Sequence, residues 1–169
     1  MILVAIAVVG CGGSSSTPAR PAAAREAEPP PAEATENCST RSEATFAGAY
    51  KSPRNLVVGP LALVGGAYTD PGTVREFGGN KFPLLVRAGR TVTIRVAGAA
   101  RLAYGPLPEG EIRLRDAYRS VTFKACRRRG TTFWSGFVLT PEPACVALDV
   151  YIDGSLVPRR AGLALGRRC

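Results

Sequence analysis

The chain has no histidine in its 169 residues, and only Lys51, Lys81 and Lys124 of its 22 basic residues are lysines. Lack of histidine removes the side chain that most often serves as general base near neutral pH and as metal ligand. There is no Cys-x-x-Cys pair of the kind that zinc sites use. Asp149 and Asp153-Gly154, which flank Tyr151, lack calcium-loop spacing. The glycine-rich stretch Gly65–Gly72 lacks the Gly-Lys-Ser/Thr ending of a phosphate-binding loop, shows no following helix, and reads as turn chemistry. No serine stands in a nucleophile elbow. These absences assign no catalytic residue, no metal ligand and no cofactor, and the chain does not read as an enzyme. No apolar run is long enough to cross a membrane. Residues Ile2–Val9, taken as a helix, would rise only about 12 Å against a hydrocarbon core of about 30 Å.

That short run fits the apolar region of a signal peptide instead. The residues Val8-Val9-Gly10-Cys11 that close it resemble the lipobox of bacterial lipoproteins. The resemblance covers residues 1–16 and carries no information about the rest of the chain. It implies that 1–10 is a signal peptide, that the Cys11 sulfur receives a diacylglycerol group, and that Cys11 becomes the first mature residue. The expected location is then the extracytoplasmic side of the cell membrane, with the lipid as anchor. One departure stands out: no Lys or Arg precedes Ile2, whereas signal peptides begin with positive charge. Either the true start lies upstream or the leader is weak. Behind Cys11, Gly12-Gly13-Ser14-Ser15-Ser16 has the composition of a flexible tether.

Five cysteines is an odd number. Assigning Cys11 to lipid leaves Cys38, Cys126, Cys145 and Cys169, an even set that in an oxidising compartment reads as two disulfides. Of the three pairings, Cys126–Cys145 with Cys38–Cys169 is favoured: the first would join neighbouring strands and the second would clamp the ends of the domain.

Residues 17–36 are dominated by Pro, Ala and Glu, with no aromatic or large aliphatic side chain. Such a stretch cannot bury enough apolar surface to offset its ordering entropy. The whole segment 11–36 is therefore expected to be a disordered tether. From Asn37 onward the pattern is β-rich and broken by Gly and Pro. Phe82–Arg87 and Thr91–Val96 flank Ala88-Gly89-Arg90 as a hairpin would. Val92, Ile94 and Val96 alternate with Thr91, Thr93 and Arg95. Further candidates are Asn55–Val64, Arg101–Tyr104, Glu111–Arg115, Val121–Ala125, Thr132–Leu139, Cys145–Ile152 and Ala161–Leu165. With no convincing helix, residues 37–169 are expected to form an all-β, Ig-like or related β-sandwich of seven to nine short strands.

The net charge of +9 is unevenly placed. Residues 12–36 carry two arginines against four glutamates, leaving 20 basic and 9 acidic residues from Asn37 onward. A cationic exported domain meets anionic lipid head groups, wall polymers and envelope proteins, and nucleic acid is not an expected partner. The sharpest candidate for anion binding is Arg127-Arg128-Arg129 with Trp134 beside it, where guanidinium forks take phosphate or carboxylate and an indole stacks on a flat or sugar-like ligand. The competing reading is an exposed charged turn with Trp134 as core filling. A lipid-anchored envelope binding or interaction module is the leading functional reading. The alternatives are an accessory subunit of an envelope assembly and, third, an envelope hydrolase. The anchor has a direct check: the membrane-extracted protein should carry the mass of a diacylglycerol group on Cys11, and a Cys11→Ala form should leave the membrane fraction. A protein that stays membrane-bound without that mass contradicts the assignment.

Overall fold

The computed structural model describes residues 33–105 and 111–169. The expected leader, Cys11 and the expected tether through residue 32 lie outside them. The described residues form an all-β sandwich of twelve short strands, more than the seven to nine expected, with one α-helix. One layer is a five-stranded sheet ordered β1 (Glu33–Glu36), β8 (Ser120–Lys124), β6 (Thr91–Val96), β11 (Ala144–Ile152) and β12 (Arg159–Leu165). Its neighbours are antiparallel except β1 and β8, which run parallel. Opposite lie a four-stranded sheet, β2 (Leu56–Val58), β3 (Leu61–Leu63), β5 (Leu84–Arg87) and β9 (Thr131–Trp134), and a three-stranded sheet, β4 (Gly79–Lys81), β10 (Phe137–Leu139) and β7 (Arg101–Ala103).

One hydrophobic cluster joins all three sheets. Alternation places Val92, Ile94 and Val96 on the buried face of β6, and Val146, Leu148 and Val150 on that of β11. Leu61, Leu84 and Trp134 meet them from the second sheet, and Leu102 and Val138 from the third. Three buried rings cross the interior: Tyr104 and Phe123 meet edge to face at 5.4 Å, and Phe123 and Trp134 at 5.2 Å. Truncating a fully buried aromatic of this kind to alanine costs about 3–5 kcal/mol.

The two smaller sheets are one ribbon broken across its middle. β4 continues into β5 through Phe82-Pro83, and β9 into β10 through Ser135-Gly136. At the break the Phe82 amide donates to the Gly136 carbonyl at 3.0 Å, and the Tyr104 hydroxyl donates to the Phe82 carbonyl at 2.6 Å. Pro83 has no amide hydrogen to continue a ladder. The expected continuous strand over Thr132–Leu139 is therefore two strands. Gly136 is where the Tyr104 ring passes closest: a methyl group there would overlap Tyr104 Cδ1.

Other expectations are also corrected. Phe82–Arg87 and Thr91–Val96 do not pair as a hairpin, because β5 and β6 belong to opposite layers and residues 88–90 cross between them. Glu111–Arg115 is not a strand; a single 3-10 turn occupies Leu114–Asp116. A helix does follow the glycine-rich loop: α1 (Pro71–Phe77) starts at Asp70, whose carboxylate accepts from the Gly72 and Thr73 amides at 2.8 and 3.3 Å, and is closed by Gly78. An Asp cap, a first-position Pro and a terminal Gly were all legible. With Val74 as its only buried residue, though, the helix has no periodicity to detect.

The disulfides are Cys38–Cys126 and Cys145–Cys169, not the favoured Cys126–Cys145 and Cys38–Cys169. Strand β6 lies between β8 and β11 and is antiparallel to both, so those two run in the same direction; Cys126 follows the end of β8 whereas Cys145 sits near the start of β11. The two thiols thus lie at opposite ends of the sheet. Gly162 makes room for the second bridge, since a methyl group there would come within 2.7 Å of Cys169 Sγ. In the chain-entropy view, loops of 88 and 24 residues are worth roughly 4–5 and 3 kcal/mol.

The tether reading fails for its last four residues. Glu33–Glu36 adds a parallel edge strand, paired from Glu33 with Ser120 to Glu36 with Phe123. Main-chain pairing needs no apolar run, Ala34 packs on the core, and Cys38–Cys126 pins the strand's end. Glu36 is buried with its Oε1 unpartnered among the described residues. Burial pushes its carboxyl above the ordinary value of 4.5, against a smaller opposing hydrogen bond from Thr40. The folded form therefore holds its proton more tightly than the unfolded chain, and this group's contribution to stability falls as pH rises through the folded value. The ribbon break gives the sharpest mechanical test: Gly136→Ala should cost about 3 kcal/mol by overpacking against Tyr104, read as a lowered urea midpoint. An unchanged midpoint contradicts the packing described.

Candidate functional site: an arginine-lined cleft

The strand registers gather four turns at one end of the molecule. Thr91 pairs with Lys124, Val92 with Ile152, and Val150 with Arg159, so the ends of β8 and β11 and the starts of β6 and β12 coincide. On the other layer Val58 pairs with Leu61, Leu61 with Val86, and Arg87 with Thr131, which brings the β2–β3 turn and the start of β9 to the same end. Backbone hydrogen bonds fasten the turns together. Gly89 N–H donates to Cys126 O at 3.2 Å, Ala88 N–H to Gly130 O at 3.1 Å, Arg87 N–H to Pro60 O at 3.0 Å and Asp153 N–H to Thr91 O at 2.8 Å.

Between these turns opens a cavity of about 470 Å³ lined by Arg87, Arg90 and Arg159 together with Gly59, Ile152 and Val157. The three guanidinium groups are held differently. Arg90 is committed: its Nε donates to Asp153 Oδ2 at 2.6 Å and its Nη2 lies 2.5 Å from the same oxygen. Asp153 Oδ1 also accepts from the Thr91 amide at 3.0 Å. The Arg90 hydrogen bond, then the Thr91 amide, hold the Asp153 carboxyl below its ordinary value of 3.8. Arg87 lies over the Tyr50 ring, 4.3 Å from its centroid. Tyr50 donates its hydroxyl to Pro60 O at 2.8 Å, and burial pushes its pKa up to about 12 although Arg87 opposes the shift. Tyr50 thus stays a neutral, fixed platform. Arg159 extends across the β2–β3 turn at Gly59, whose φ of +57 favours glycine. A methyl group on Gly59 would lie 3.2 Å from Arg159 Nη1. Neither Arg87 nor Arg159 has a carboxylate partner among the described residues.

The sequence-derived site residues are only partly brought together. Arg127, Arg128 and Arg129 are exposed on the turn that follows β8, at this same end. Arg129 is shared with Glu43 at 3.1 Å, and Glu43 also takes Arg41 at 2.8 Å. Trp134 does not join them. It is 1 % exposed, packs on Phe123, and its Nε1 donates to Asn37 O at 3.3 Å, so its indole is core and offers no face to a ligand. Cys38, Cys126, Cys145 and Cys169 are all bridged. Cys11 lies outside the described residues. Sequence reasoning missed Arg87, Arg90 and Arg159 because each lies alone in its segment and only the fold makes them neighbours. Among the described residues no three His, Cys, Asp or Glu side chains come close enough to hold a metal ion.

At the far end, an apolar groove of about 450 Å³ runs between Phe77, Ile112, Phe137 and Leu139. Phe77 is 68 % exposed.

The Arg90–Asp153 link has a definite pH signature. With the carboxyl depressed in the folded state, its contribution is complete above pH 3.8 and disappears as pH falls through the lower folded value. The pair is nearly half exposed, so Asp153→Asn should cost under about 1 kcal/mol at pH 7. That difference from wild type should vanish below the folded value, which urea unfolding at two pH values would read. An equal deficit at both contradicts the role given to the charge.

Comparison with protein-family models, with curated proteins and with solved structures finds no match to this chain, so its function has to be argued from the geometry above.

Proposed function

We propose that this chain is a lipid-anchored binding module of the cell envelope, held on the extracytoplasmic side of a membrane through Cys11, and that its domain takes an anionic ligand at the arginine-lined end. The observation that carries the reading is the cleft itself. Three guanidinium groups converge on one cavity, and only Arg90 is neutralised by a carboxylate. Arginine forks favour phosphate and carboxylate groups in paired hydrogen bonds. Arg127 and Arg128, exposed on the adjoining turn, extend the same positive surface. The lipobox resemblance and the Gly/Ser stretch behind Cys11 supply the anchor, and they also bring the domain to compartments rich in phosphate-bearing polymers and head groups. Among the described residues that line the cleft, the one carboxylate, Asp153, is tied to Arg90.

A second reading, an accessory subunit of an envelope assembly, is favoured by the apolar groove at Phe77, Ile112, Phe137 and Leu139. Exposed apolar patches of this kind mark protein contacts. The two readings use opposite ends of the molecule and separate cleanly by mutation.

The test uses residues 12–169, which retain every described strand and both disulfides, titrated with poly(glycerol phosphate) as the soluble anionic probe. Binding should weaken steeply with added salt. Arg87→Gln with Arg159→Gln should reduce affinity about tenfold or more, since each lost charge-assisted contact is worth roughly 1.5–3 kcal/mol. Ala replacement of Arg127, Arg128 and Arg129 should weaken binding less. Phe77→Ser should leave it unchanged. Binding that survives the Arg87/Arg159 change would overturn the site.

A further inference from the structure

The hairpin between β11 and β12 ends at this same cleft, and its tip has an unusual composition. Leu156 is 93 % exposed and Val157 77 %, the two most exposed large apolar side chains among the described residues. They are adjacent, and basic residues follow them closely: Arg159 and Arg160 come after Pro158. Val157 lines the same cavity as Arg87, Arg90 and Arg159.

The tip is also held in place. Ser155 N–H donates to Ile152 O at 3.0 Å, the Ser155 hydroxyl donates to Val157 O at 3.0 Å, and the Val157 amide donates back to Ser155 Oγ at 3.2 Å. At its base, Asp153 is tied to Arg90 and to both polar atoms of the Thr91 backbone. A pre-shaped loop that presents two bare aliphatic side chains loses little order when they are buried by something else.

We propose that this tip is a membrane-docking element: Leu156 and Val157 enter the interfacial layer of an anionic phospholipid bilayer while Arg87 and Arg159 engage the phosphates of its head groups. This deepens the reading of the chain as an envelope module that takes an anionic ligand, and it rests on that reading. Charge complementarity selects the occupant. A soluble polyanion accounts for the arginines but leaves two aliphatic side chains in water. An anionic bilayer satisfies both, with apolar side chains at the acyl boundary and guanidinium groups at the phosphate level, as in interfacial protein segments. The anchor geometry allows it. Cys11 and Glu33 are 22 residues apart, an extended reach of up to about 70 Å, enough for a tethered domain to lay either end on the surface that holds it.

The experiment uses residues 12–169 and extruded vesicles of phosphatidylglycerol or phosphatidylcholine at about 0.1 M salt. Co-sedimentation should favour phosphatidylglycerol by at least about tenfold, with a loss of about fivefold for each of Arg87→Gln and Arg159→Gln. Leu156→Asp with Val157→Asp should cut vesicle binding about tenfold while leaving affinity for poly(glycerol phosphate) unchanged. In a Leu156→Trp form the new indole should shift its emission to the blue on vesicle addition and be quenched by acyl-brominated lipid, against a constant background from buried Trp134. Equal vesicle binding by the tip variant, or no blue shift, overturns the docking proposal. If vesicles fail but the soluble polymer still binds, docking falls and the anionic-ligand reading stands. If neither binds, both fall.

Discussion

Two apolar strands that follow one another closely, β5 and β6, face each other across one core and do not pair side by side. Leu84 and Val86 point into it from one layer, and Val92, Ile94 and Val96 from the other. Residues Ala88, Gly89 and Arg90 must therefore cross from layer to layer in a single step. That crossing seats Arg87 and Arg90 between the Cys126–Gly130 turn, to which the crossing is hydrogen bonded, and the β11–β12 hairpin, to which Arg90 is bound through Asp153. The arginine-lined end is a consequence of how the sandwich closes.

The energetic support for that end comes from behind it. Phe123 and Trp134 are fully buried on the strands that enter and leave the Arg127–Arg129 turn, and Tyr104 braces Phe123 beneath the ribbon break at Gly136. The Cys38–Cys126 bridge ties the edge strand β1 to the same turn. Positive charge can then be concentrated on short loops without large entropic cost, because the loops are anchored on both sides by buried aromatics or a disulfide. The local ion pairs are exposed and contribute modestly. Their effect is orientation: Arg90 and Asp153 set the hairpin's direction, Tyr50 sets Arg87, and Gly59 leaves space for Arg159.

The β class, the alternating faces of β6, β8 and β11, and the involvement of all four domain cysteines in disulfides were readable because each depends on local periodicity or on parity of a count. What escaped depends on long-range arrangement. Cysteine pairing turns on strand order, and inserting β6 between β8 and β11 separates Cys126 from Cys145. The apparent hairpin at Ala88–Arg90 has the same residues whether its arms pair or oppose. Glu33–Glu36 is too polar to register as a strand and is ordered by main-chain pairing and a neighbouring disulfide. At the candidate site, the Arg127–Arg129 run lies at the same end of the molecule as the cleft, but the cleft's own arginines, Arg87, Arg90 and Arg159, are spread over 72 positions of sequence and no local run marks them. Trp134 was drawn in by its place in the sequence, whereas the register of β9 turns it inward.

The proposed role of the arginine-lined end as the surface that meets an anionic membrane can be tested on the whole molecule. Hydrogen–deuterium exchange of the full chain, compared between nanodiscs of phosphatidylglycerol and of phosphatidylcholine, tests it most directly. The account predicts added protection in the anionic discs over residues 87–90, 126–130 and 153–159, with the Phe77–Leu139 groove unchanged. Protection confined to that groove, or no difference between the two discs, would contradict it.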